Sequence, residues 1–74
     1  MDASNVTFDP SNMYSNNTSE KTRIINLVIS QAPTGAASAT VVNGWHTSRS
    51  DRRQHCTVDY YDAAGDRISR EHVV

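Results

Sequence analysis

Thr22-Arg-Ile-Ile-Asn-Leu-Val-Ile-Ser-Gln31 is the stretch on which the fold class turns. Read with a period of two, it sets Ile25, Leu27 and Ile29 on one side and Asn26 and Ser30 on the other, the pattern of a half-buried strand. Read with a period of 3.6, Ile24, Leu27, Val28 and Gln31 share a face, and Thr18 or Ser19 supplies the N-cap of a helix. The β-branched residues Thr22, Ile24, Ile25, Val28 and Ile29 are stiff at χ1 and favour extended backbone, which tips the reading to a strand. Ala32-Pro-Thr-Gly35 ends the element either way, since proline cannot donate and glycine frees the turn. The strand reading makes the protein all-β. The helix reading makes it α+β, a helix at about 19–31 packed on a three-stranded sheet.

Downstream the pattern is less ambiguous. Gln54-His-Cys-Thr-Val-Asp-Tyr-Tyr61 and Arg67-Ile-Ser-Arg-Glu-His-Val-Val74 are two β-capable runs flanking Asp62-Ala-Ala-Gly-Asp66. That loop fits a type I turn closed by Gly65, which enters the left-handed region without a Cβ clash, while Asp62 bonds its own backbone two residues on. Ser38-Ala-Thr-Val-Val42 reads as a further strand. Asn43-Gly44 is a hairpin signal in general, but a hairpin there leaves only a short return strand, so it reads as a bulge within a strand running to Ser48. The expected fold is a four-stranded antiparallel meander over about 23–30, 38–48, 53–61 and 67–74. Cys56, Val58, Tyr60 and Ile68 are expected to face the core with Ile25, Leu27 and Ile29. Ile68, Arg70, His72 and Val74 share one side of the last strand, and cross-strand ion pairs such as Asp59 with Arg67 or Arg70 are expected.

Val58-Asp-Tyr-Tyr-Asp-Ala-Ala-Gly-Asp-Arg-Ile68 resembles the tyrosine-aspartate hairpin of small immunoglobulin-like and related β-sandwich domains, in which a strand ends in an aromatic-Asp pair before a glycine turn. The resemblance covers about eleven residues and implies β structure with a binding or structural role. Such domains have two sheets, and this chain lacks the length for the second. No functional residue is carried over.

The chain has 74 residues, enough for one domain at most, and its apolar fraction of 36% lies below the roughly 45–50% usual in globular proteins. A domain of this size buries only about 60% of the surface its unfolded chain exposes. Its core is therefore thin, and the single cysteine, Cys56, cannot staple it with an internal disulfide. Association with a second copy is the remaining means of support, so a dimer or higher oligomer is expected. Net charge is −1, which gives no global attraction to nucleic acid or an anionic membrane. The longest apolar run, Leu27-Val-Ile29, falls far short of the ~20 residues that cross a bilayer. Met1-Asp-Ala-Ser-Asn5 places an acid where a secretory signal needs a basic region, so a soluble, cytoplasmic protein is expected.

Two compositional zones meet near Glu20. Ser, Thr and Asn make up half of residues 1–20, and the sizeable apolar side chains there are Val6, Phe8, Met13 and Tyr14. Residues 1–20 therefore read as a polar, loosely ordered arm with Phe8, Met13 and Tyr14 as anchors, and residues 21–74 as a single small β domain.

Sequence offers no catalytic motif. His46, His55, Cys56 and His72 are ligand types without metal-ligand spacing, and adjacent His55 and Cys56 fall on opposite faces of a strand. No enzyme activity, cofactor or metal is expected. Two readings remain. In the first, the chain is a protein-interaction or structural module that pairs with itself and with a partner protein through Trp45, Arg49, Arg52, Arg53 and Tyr61, residue types that dominate interface energetics. Chains of this kind are common among accessory proteins, including those of phages and mobile elements. In the alternative, the Trp45 and Arg49–Arg53 turn with Tyr60 and Tyr61 binds single-stranded nucleic acid, cations meeting phosphates and rings stacking bases. Asp51, Asp59, Asp62, Asp66 and Glu71 interrupt that basic field almost residue for residue.

Overall fold

The structure is a computed structural model that describes residues 1–9, 18–47 and 54–73. In chain order it contains strand β1 (Val6–Phe8), helix α1 (Thr18–Ser30), and strands β2 (Ser38–Thr47), β3 (Gln54–Tyr61) and β4 (Arg67–Val73). The strands form one four-stranded sheet in the order β1-β2-β3-β4. β1 runs parallel to β2, with Val6 opposite Ala39 and Phe8 opposite Val41. The β2/β3 and β3/β4 pairs are antiparallel. The fold is thus sheet-dominated and mixed, with one short helix.

The stretch that decides the class is a helix, so the all-β antiparallel expectation is corrected over 22–31 in favour of the helical alternative. The reason is tertiary. Each β-branched residue costs only ~0.5 kcal/mol relative to alanine in a helix, whereas burying an isoleucine or valine side chain contributes about 1.5–3 kcal/mol. Helical spacing lets Ile24 and Val28 sink fully into the core, with Ile25, Leu27 and Ile29 packed at its margin. The last turn closes through Gln31 N–H to the Leu27 carbonyl and Ala32 N–H to the Ile29 carbonyl. Pro33 follows, where the helix cannot continue.

A helix at this position also accounts for the parallel pair. Parallel neighbours need a crossover of a dozen or more residues, and α1 lies within the one that joins Phe8 to Ser38. The leader is correspondingly more ordered than a loose arm at its start. Asp2 caps a 3-10 turn over Ala3–Asn5, its carboxylate accepting from Ser4 N–H while the Asn5 side chain accepts from Asp2 N–H. Val6 is then buried as part of the sheet. The anchors expected at Met13 and Tyr14 lie outside the described residues.

Local readings of the hairpin hold. Gly65 sits at φ +87°, its N–H donates to the Asp62 carbonyl, and Asp62 N–H donates to the Asp66 carbonyl. Asp62 Oδ1 accepts from the backbone N–H groups of Ala64 and Asp66, both at 3.0 Å. The Asn43 region is a bulge within β2, with register breaks on either side of Asn43. One face assignment fails. β4 has an extra residue between the Tyr60–Ser69 and Tyr61–Arg67 pairs, and that residue is Ile68. It is displaced from the position opposite Tyr60 and is 41% exposed, while Val73, opposite Cys56, is the β4 side chain that joins the core.

Candidate interaction surface

Helix α1 covers one face of the sheet. Under it lie Val6, Ala39, Val41, Cys56, Val58, Tyr60 and Val73 with Ile24 and Val28 of the helix. Tyr60 couples the two layers, since its hydroxyl donates to the Val28 carbonyl at 2.7 Å. That carbonyl belongs to the last helical turn, where backbone acceptors run out of intrahelical donors. Burial, reinforced by Glu71, pushes the Tyr60 phenol up to about 12. Burial likewise pushes the Cys56 thiol up to about 11, with Glu20 adding to the effect and Arg23 opposing it. A thiol so held is a poor nucleophile at neutral pH.

The other face carries the candidate surface. Register lines up Thr7, Thr40, Asp59 and Arg70 in one row across all four strands. Thr7 Oγ1 lies 3.1 Å from Thr40 Oγ1. Asp59, only 5% exposed, accepts from Arg70 Nε at 2.6 Å and Arg70 Nη2 at 2.9 Å, a bidentate pair. Arg67 Nη1 stands 3.7 Å from the same carboxylate. The bulge at Ile68 makes this second contact possible. Strict alternation would set Arg67 on the face of Ser69 and Glu71, and the extra residue turns it to the face of Arg70. The Arg70 hydrogen bond is the main force holding the Asp59 carboxyl below the usual carboxylate range; desolvation opposes it, and the charges of Arg70 and Arg67 assist. A buried carboxylate is costly without such partners.

The site residues expected from sequence are only partly brought together. Tyr61 is half-buried at the end of β3, opposite Ser38 on one side and Arg67 on the other. Trp45 falls within β2, but its side chain lies outside the described residues, as do Arg49, Arg52 and Arg53 entirely. Phe8 packs at the margin of its own core, with Lys21 Nζ 5.6 Å from its ring centroid. Tyr60, assigned to base stacking in the nucleic-acid alternative, is fully buried under α1. Among the other ligand types, His46 takes the register position opposite His55, and His72 the one opposite Thr57. No group of His, Cys, Asp and Glu suited to a metal ion occurs among the described residues. No described helix is long and apolar enough to cross a membrane.

Sequence reasoning named Asp59 with Arg67 or Arg70 as a cross-strand ion pair on charge and proximity alone; regular strands after the loop would set Asp59 opposite Ser69, and the bulge in β4 is what brings Arg70 opposite it. The same reasoning missed Thr7 and Thr40, whose only advance signal was the alternation in Val6-Thr-Phe8. No protein-family model, curated protein or solved structure matches this chain at significant similarity.

Proposed function

We propose that this chain is a non-enzymatic protein-interaction or structural module that associates with itself and occupies the surface of a partner protein. The observation that carries the reading is the exposed side of the sheet. β4 is an edge strand with no further strand beside it among the described residues, and the face bearing Thr7, Thr40, Asp59 and Arg70 is opposite the helix. Exposed strand edges are templates for pairing with another chain. Tyr61, on that face, is proposed as a contact residue together with Trp45, Arg49, Arg52 and Arg53. An accessory role of the kind served by small phage or mobile-element proteins fits this chemistry.

Two features weigh against the single-stranded nucleic-acid reading. Tyr60 is committed to the core, and Arg70 and Arg67 both face the Asp59 carboxylate. The discriminating experiment titrates the chain with single-stranded DNA and RNA at two salt concentrations, alongside capture of protein partners from the native source by the parent and by a variant with Arg49, Arg52 and Arg53 all changed to alanine. The proposal expects no salt-sensitive oligonucleotide binding, and partner capture that the triple variant loses while keeping the parent's circular-dichroism spectrum. Oligonucleotide binding that falls steeply with salt, abolished in the same variant, overturns it.

A further inference from the structure

Among the described residues β4 is the one long free edge of the sheet, and the direction of its backbone groups follows from the hydrogen bonds beside it. Ala37 N–H donates to the Tyr61 carbonyl at 2.8 Å, so the main chain of Tyr61 is turned towards β2. Alternation along β3 turns Asp59 and Thr57 the same way and turns Tyr60, Val58 and Cys56 towards β4. Their partners Ser69, Glu71 and Val73 therefore bond inward. Arg70, between them, presents its N–H and C=O outward, where no backbone partner is found among the described residues.

Resting on the interaction reading above, we propose that the occupant of this edge is a second copy of the chain, its β4 laid antiparallel on the first about a two-fold axis at Arg70. Charge and face select that register. A two-fold perpendicular to the sheet keeps each residue on its own face, so the axis must pass through a residue. Centred on Glu71, it would set two carboxylates directly opposite, an arrangement that destabilises a strand pair. Glu71 has no ion pair among the described residues to relieve this. Centred on Arg70, the two arginines meet, but each guanidinium already holds its own Asp59 in a bidentate pair. In this register Glu71 stands opposite the partner's Ser69 on the helix-covered face. Ser69 is small and uncharged, so this register sets no like charges opposite one another on that face. Ile68, the exposed large apolar side chain among the described residues, lies opposite the partner's His72 on the open face. Two backbone hydrogen bonds join Arg70 to its symmetry mate, and two four-stranded sheets become one of eight.

The unaltered protein supplies the first test, amide hydrogen exchange across a range of concentrations. Ser69 and Glu71 amides should be protected throughout because they bond to β3, whereas Arg70 protection should rise with concentration together with a mass by light scattering that moves from 8.2 kDa towards twice that value. An Arg70 amide that stays unprotected overturns the proposal. If the mass nonetheless rises, the copies meet elsewhere and the interaction reading survives; salt-sensitive oligonucleotide binding bears on the partner-protein part of that reading and leaves the self-association part, on which this proposal rests, to the mass and exchange data. Register is read by oxidation. The pair Ser69→Cys and Glu71→Cys in one chain should cross-link into a covalent dimer, since directly opposed cysteines at a non-hydrogen-bonded pair approach disulfide geometry. Glu71→Cys alone should not, and neither should the parent, whose Cys56 is buried. A dimer formed efficiently by Glu71→Cys alone places the axis one residue away and refutes the Arg70 register.

Discussion

Val58 and Asp59 are neighbours in β3, both are buried, and they face opposite ways. Val58 is covered by α1 and by Val41 opposite it, in a layer held by apolar burial and closed by the hydroxyl of Tyr60. Among the described residues, Asp59 is engaged by side chains of its own sheet, Arg70 and Arg67. Val58 is sheltered by apolar packing under a second layer of backbone, whereas Asp59 is compensated by two cationic side chains that are each about half exposed. The difference teaches where stability and recognition divide in so small a protein: the covered face is the core, and the open face keeps its shape while remaining accessible.

Removing the link between layers should have the largest effect. Tyr60→Ala strips the biggest buried side chain, and a loss of about 3–5 kcal/mol is expected, most of the stability of a marginal domain. Tyr60→Phe keeps the ring and orphans the Val28 carbonyl, at a cost of about 1–3 kcal/mol. Urea unfolding of both variants separates packing from the hydrogen bond. If Tyr60→Phe unfolds at the parent's midpoint, the bond to α1 contributes nothing and the covered face is held by burial alone.

Acid probes the opposite face. The Asp59 carboxyl is held below its ordinary value in the folded chain, so the folded state binds fewer protons than the unfolded state in that interval. Its contribution is complete above the unfolded value of about 3.9 and is lost as pH falls through the lower folded value. The pH profile of the urea midpoint should therefore drop on the acid side, and Asp59→Asn should flatten it. An unchanged profile in Asp59→Asn would assign the acid sensitivity to other carboxylates.

The hairpin that sets both faces in register is tested by Gly65→Ala. Nothing crowds a Cβ there, so the expected loss of about 1–2 kcal/mol is purely the left-handed backbone. Ile68→Lys should be the smallest perturbation, within about 0.5 kcal/mol in the dilute monomer. A larger destabilisation would mean that the bulged residue supports the open face after all.

How much of this was readable in advance follows from the range of the interactions concerned. The turn at Asp62–Asp66 was legible because Asp62 and Gly65 act on backbone within four residues of themselves. The inward positions of Cys56, Val58 and Tyr60 followed from alternation on an unbulged strand. Ile68 was misassigned because a single extra residue in β4 shifts every face before it, and nothing in Arg67-Ile-Ser69 announces the insertion. Three residues of alternation at Val6–Phe8 were too few to separate a strand from a polar leader. The contact residues placed at 49–53 lie outside the described residues, and their role rests on residue type.

The sequence by itself determined the antiparallel β2, β3 and β4 segments, the turn between the last two and the inward set of Cys56, Val58 and Tyr60, because turn chemistry and strand period act locally; the bulge that brings Arg70 opposite Asp59 was decided by the tertiary structure. Tertiary structure also decided that residues 18–30 coil. Both hydrophobic periods were present there, and the choice went to the one that could set Ile24 and Val28 against a sheet formed mostly from residues further along the chain.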